Sequence, residues 1–119
     1  KILKKLRMKQ TGKVILSIDT SNQDTVKVRF TVDGKRYEKI SESRVMKAQM
    51  VLPLLETLLQ EHGLTTADIA QIRVHTGPGS FTGLRVGAAI ALALSTLLQV
   101  PINGNPPGTP IDLRYTNTP

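Results

Sequence analysis

The hydrophobic pattern begins with a short, nearly unbroken run, Val14-Ile15-Leu16-Ser17-Ile18. A run of this kind marks a strand covered on both faces. A polar turn from Asp19 to Asp24 follows, and then Val26, Val28, Phe30 and Val32 alternate with Lys27, Arg29 and Thr31. That period of two predicts a strand with one face in solvent. Asp33-Gly34 has the composition of a hairpin turn. Lys35 to Ile40 then returns as a third, more polar strand of edge character. The opening reads as a three-stranded meander whose first strand is the most buried.

From Arg44 to Glu61 the rhythm becomes helical. At ~100° per residue, Val51, Leu54, Leu55 and Leu58 form one apolar band, Leu59, Leu52 and Val45 widen it, and Met46 and Met50 extend it on the other side. The apolar arc covers more than half the circumference, and docking on a sheet uses only part of it. The remainder is left for another contact. Pro53 inside this helix removes one backbone bond and is expected to bend the axis. Gly63 fits a C′ position, Thr65, Thr66 and Asp68 look like the cap of a short turn, and Ile69 to His75 is a fourth strand. The loop Gly77-Pro78-Gly79-Ser80-Phe81-Thr82-Gly83 holds three glycines and a proline, which suits a tight turn with open backbone N–H groups. Gly79→Val should damage this loop if that backbone takes a positive φ. A helix from Thr82 to Gln99 follows. Its segment Val86 to Leu94 carries no charge on any face, so it has to be covered nearly all round. Val100-Pro101-Ile102 is at most a brief fifth strand. Gly104 to Pro110 is too rich in proline and glycine to be regular, and Ile111 to Tyr115 is expected to add a short edge strand or to dock as an arm. The order β-β-β-α-β-α-β predicts an α/β fold with a mixed five-stranded sheet and right-handed crossovers.

Length and charge divide the chain. At 119 residues it is expected to hold one domain, with a basic flexible leader over 1–12, a single lobe over 13–103 and a Pro/Gly-rich tail over 104–119. The net charge of +7 suggests nucleic acid until it is located. Lys1, Lys4, Lys5, Arg7, Lys9 and Lys13 all precede the first strand, and the rest of the chain is close to neutral. An RNA-binding module working through the leader remains a reading, weakened by the lack of interleaved aromatics. There is no cysteine, so disulfides, thiolate chemistry and thiolate metal sites are excluded. The leader has no apolar core of the secretory type, and Val86 to Val100 falls short of the ~20 residues of a membrane span. A cytoplasmic protein without membrane contact is expected.

The inventory of reactive groups is sparse. Asp19 ends the first strand, where open α/β sheets place ligands, or it caps a turn through its own backbone. Neither Asp24, Asp33, Glu38 nor Glu42 is spaced to share a metal with it. His62 and His75 stand alone, and no zinc site is expected. Gly77 to Phe81 has Phe where a nucleophile elbow has Gly, and no Lys follows Gly83 as in a P-loop. What remains is a helix N-terminus with Ser80, Thr82 and Arg85, able to hold an anion or a partner's carboxylate. Ser80 or Thr82 capping the helix is the structural alternative. Phe81 reads either as a plug in the local core or as the aromatic anchor of an interface.

Ile15-Leu16-Ser17-Ile18-Asp19-Thr20-Ser21, Gln49-Met50-Val51-Leu52-Pro53-Leu54-Leu55 and above all His75-Thr76-Gly77-Pro78-Gly79-Ser80-Phe81-Thr82-Gly83-Leu84-Arg85-Val86-Gly87 resemble the TsaB family. This is the non-catalytic branch of a glycoprotease-like group whose catalytic paralogue is the TsaD ligase. The resemblance covers about Val14 to Ile102. It implies a ribonuclease H-like lobe of the actin-like ATPase fold and a scaffold role in threonylcarbamoyl modification of adenosine 37 in tRNA. It also implies a heterodimer with TsaD through the two helices, a homodimer through the same surface when alone, TsaE as a further ATPase partner, and tRNA contact only through the complex. The interface residues expected are Met46, Met50, Pro53, Leu54, Phe81, Arg85 and Ile90. Gly77, Gly79, Ser80, Thr82, Gly83 and Asp19 form the loop and candidate anion-binding set.

Three features depart from the family pattern. The second lobe is expected to be missing, so no interlobe nucleotide cleft forms in one copy and no cofactor or metal is expected. Lys47 stands where family members often carry histidine. The turn from Asp19 to Thr25 lacks the glycines of phosphate-binding members. The competing readings are a small nucleotide- and magnesium-binding domain, and an N-terminal piece of a TsaD-like carbamoyltransferase. The paired histidines of that catalytic paralogue, four residues apart, occur nowhere in this chain.

Overall fold

Val14, Leu16 and Ile18 on β1 (Val14–Asp19) and Val26, Val28 and Phe30 on β2 (Thr25–Val32) occupy one phase of their strands, and all are at most 2% exposed. The computed structural model describes residues 13–22, 24–42 and 47–115. β3 (Lys35–Glu42) follows β2 through Asp33 and Gly34, both at positive φ, as a two-residue hairpin whose twist matches its strands requires. After α1 (Lys47–Glu61) and a short 3₁₀ turn (Thr66–Asp68) come β4 (Ile69–Val74) and α2 (Phe81–Leu98). The sheet order is β3-β2-β1-β4, with β4 parallel to β1 and the other pairs antiparallel.

Both helices lie on the buried phase of the strands. α1 places Val51, Leu55, Leu58 and Leu59 in the core and packs on β2 and β3; α2 packs on β1 and β4. The opposite phase, Ile15, Ser17 and Asp19 on β1 with Lys27, Arg29 and Thr31 on β2, is only half-buried. β1 is therefore covered on one face rather than both, because among the described residues both helices share one side of the sheet.

Among the described residues the sheet has four strands rather than the five expected, and Ile102 adds a single parallel bridge to Ile72. The Ile72 amide donates to Pro101 and the Asn103 amide to Ile72, and then the chain turns away at Asn103 and Gly104, both at positive φ. The next rung is supplied by a side chain. The Asn103 amide group accepts from the Val74 N–H at 2.9 Å and donates to the Val74 carbonyl at 3.3 Å.

The ends of the elements follow local chemistry. Gly63 closes α1 in a Schellman arrangement, with Leu64 N–H on the Leu59 carbonyl and Gly63 N–H on that of Gln60. Thr65 and Asp68 form a reciprocal capping box at the short turn. By length and composition alone α2 is long and apolar enough to cross a membrane, with a mean hydropathy of 1.7 over its 18 residues. The low-charge run is thus longer than expected. In this structure α2 buries Gly83, Leu84, Gly87, Ala91 and Ser95, 28% of its length, and leaves the rest partly or fully exposed.

Candidate functional site

The loop between β4 and α2 is tied to the turn after β1. The Thr20 hydroxyl donates to the Gly83 carbonyl, the Ser80 amide donates to the Ser21 carbonyl at 3.4 Å, and the His75 amide donates to Ile18 at 3.0 Å. Gly87 permits this approach: a Cβ there would stand 2.5 Å from the Thr20 hydroxyl oxygen. The Ser80 hydroxyl caps α2 by accepting from the Gly83 N–H at 3.1 Å. Ser80, Gly83 and Leu84 thus already donate their amides within the chain. Thr82 is exposed beside them. Gly79 is not at positive φ; Gly77 is, at +125°. The constraint at Gly79 is instead a Cβ that would meet Ser21 Cβ at 2.7 Å.

Asp19 behaves as a turn former. Its Oδ1 accepts from the Ser21 amide at 2.9 Å and the Ser21 hydroxyl at 2.6 Å. Burial pushes its pKa up, but the two bonds from Ser21, helped by His75 and Lys27, outweigh that and hold it below the ordinary value. It borders an open polar cavity of about 380 Å³ shared with Ser17, Arg29, Arg73, His75 and Asn103. Among the described residues no three His, Cys, Asp or Glu side chains converge as a metal site. His62 is structural: its Nδ1 lies 2.9 Å from the Leu58 carbonyl, and its ring packs against Phe30 and Tyr37.

The helices meet in a groove that is mostly apolar. It encloses about 440 Å³ and is lined by Ala48 of α1 and by Phe81, Thr82, Arg85, Val86, Ala89 and Ile90 of α2. Three of the residues expected at an interface, Phe81, Arg85 and Ile90, are brought together here. Phe81 is 56% exposed at the rim, with the Arg85 guanidinium carbon 5.1 Å from its ring centroid; the core-plug reading of Phe81 is therefore corrected. On α1, Met50 and Leu54 are half-buried against the core and Pro53 is exposed. Met46 lies outside the described residues. Leu52 and Leu97 add exposed apolar surface, at 50% and 78%. The sequence does not single out Ala48, Val86 or Ala89 as lining the groove, nor Tyr115, whose ring lies tilted against Phe81.

The family model described as "TsaD: tRNA N6-adenosine threonylcarbamoyltransferase" matches residues 47–104. Over a longer stretch the chain is similar to the "tRNA threonylcarbamoyladenosine biosynthesis protein TsaB" of Bacillus subtilis, at 33% identity across 75% of this chain and 39% of that protein. The protein of the same description from Escherichia coli is 32% identical across 76% of this chain and 38% of its own length. Among solved structures, YeaZ from Pseudomonas aeruginosa superposes with a TM-score of 0.71 and 29% identity over 76% of this chain and 42% of that one. The chain spans about two fifths of the length of the curated relatives it matches.

Proposed function

From a chain related to the TsaB/YeaZ family over about three quarters of its length, we propose a non-catalytic partner of a TsaD-type ligase in threonylcarbamoyl modification of adenosine 37 of tRNA. The observation that carries this reading is the apolar groove between α1 and α2, with Phe81 more than half exposed at its rim. An isolated apolar residue on a surface needs no explanation, but a groove that gathers an aromatic ring, four aliphatic side chains and an arginine has the make-up of an interface core.

In this reading Met46, Met50, Pro53, Leu54, Phe81, Arg85 and Ile90 form the docking face, and helix packs on helix across it. The same face pairs two copies when the ligase is absent. TsaE joins the assembled complex, and tRNA is met only there, in the cytoplasm. Gly77, Gly79, Ser80, Thr82, Gly83 and Asp19 shape the loop that sets the angle of α2.

The test is mass in solution by light scattering, for the chain alone and mixed with the TsaD-type ligase of the same genome. The expected result is a dimer that gives way to a one-to-one complex. A monomer that ignores the ligase overturns the proposal.

A further inference from the structure

The stretch that follows the sheet ends beside this face. The Gly108 amide donates to the Ser95 hydroxyl at 3.0 Å, and Ile111 packs against the core. The Arg114 amide donates to the Thr76 carbonyl at 2.8 Å, and Tyr115 forms a parallel bridge with Gly79. The backbones touch here, because any Cβ at Gly77 would run into the Arg114 carbonyl. The ring of Tyr115 comes to rest 4.7 Å from that of Phe81, at an interplanar angle of 43°.

Phe81 is thus flanked by Tyr115 and by the Arg85 guanidinium, yet it stays 56% exposed. Tyr115 does not line the groove and Phe81 does. The arm leaves the groove open and buttresses its rim. An exposed phenylalanine that turns freely loses rotamer freedom when a partner covers it, and a side chain already held in place avoids that loss.

We infer that Tyr115 is a positioning residue for Phe81: the arm fixes the ring so that its open side meets the TsaD-type ligase, an inference that rests on the proposed function. Residues 105–115 lie beyond the stretch matched by the family model, which ends at 104.

The experiment uses the full chain with labelled phenylalanine, as the native protein and as Tyr115→Ala and Tyr115→Phe. With two phenylalanines in the sequence, the Phe81 signals separate readily from those of Phe30. Side-chain couplings read whether Phe81 averages over rotamers, and calorimetry reads the Kd for the ligase. Tyr115→Ala should release the ring and weaken Kd roughly three- to tenfold, while Tyr115→Phe keeps both native values. A ring that stays in one rotamer in Tyr115→Ala overturns the inference, and so does a released ring with unchanged Kd. A native chain that does not bind the ligase sinks the proposed function and the docking half of the inference with it, while the couplings still decide whether the arm holds the ring.

Discussion

The chain has two phenylalanines and two tyrosines, and each phenylalanine pairs with one tyrosine to opposite effect. Phe30 faces Tyr37 across the β2–β3 register, with ring centroids 5.7 Å apart, and His62 from the end of α1 meets it edge-on at 5.4 Å. Phe30 is fully buried. Phe81 has Tyr115 on one flank and Arg85 over its ring, and more than half of it is exposed. The two groups share their chemistry and differ in what closes them. An imidazole anchored to the Leu58 carbonyl completes the first corner, whereas the second is left open on the groove side. Ring pairing by itself therefore does not reveal whether an aromatic serves the core or a contact; the third neighbour does.

The sharpest way to break this contrast is to truncate both rings. Phe30→Ala should cost about 3–5 kcal/mol of stability, read as a large fall in the urea midpoint, while Phe81→Ala should change the midpoint little and weaken ligase binding instead. Equal losses of stability in the two variants would erase the distinction. Next in size, a charge on α1 at the proposed docking face, Met50→Glu, should weaken ligase binding by tenfold or more, about 1.4 kcal/mol, at matched folding. Asp19→Ala should weaken it less; the reverse ranking would move the contact away from the helices. Gly87→Ala probes how closely the two faces of α2 are tied to their surroundings. Forcing a methyl onto Thr20 should lower stability by about 1–3 kcal/mol, whereas Ala89→Ser on the groove side should cost no more than the helix propensity difference of about 0.5 kcal/mol.

The smallest effect concerns Asp19. Its folded pKa lies below the ordinary value, so the unfolded chain binds the proton more tightly. The stabilisation is then complete above the unfolded carboxylate pKa and is lost as pH falls through the lower folded one. Asp19→Asn should cost about 1 kcal/mol at neutral pH, and the gap to the native chain should close on acidification. A gap that stays constant with pH would remove the Ser21 bonds as its source.

Much of the fold was legible because it rests on local signals. The alternation of Val26, Val28 and Phe30, the Asp33-Gly34 turn, the Gly63 helix end and the Ser80 cap all appear where the sequence predicts them. The surplus apolar surface on the helices was legible too, since the arc is wider than a sheet contact uses. Three features were not. The run Val14 to Ile18 reads the same whether one or two layers cover it, because hydrophobicity records burial and not the side it comes from. The fifth strand fails through Asn103, whose side chain replaces a backbone rung. The docking of Ile111 to Tyr115 as an arm was one of two outcomes the sequence left open, and the backbone bond from Arg114 to Thr76 that decides between them leaves no periodic trace in the residues.

The Ser95 hydroxyl donates to the Val100 carbonyl at 2.7 Å and accepts from Gly108, so the arm is pinned near one end of α2 as well as at Phe81 near the other. At about 1.5 Å per residue the helix between Phe81 and Ser95 measures roughly 21 Å, and the arm from Gly108 to Tyr115 spans at most about 25 Å when fully stretched. The helix therefore sets the distance that the arm has to cover between its two anchors. Shortening the stretch between Thr109 and Leu113 reduces that reach and should draw Tyr115 away from Phe81. The length of this stretch, more than its composition, is what decides whether the aromatic corner forms.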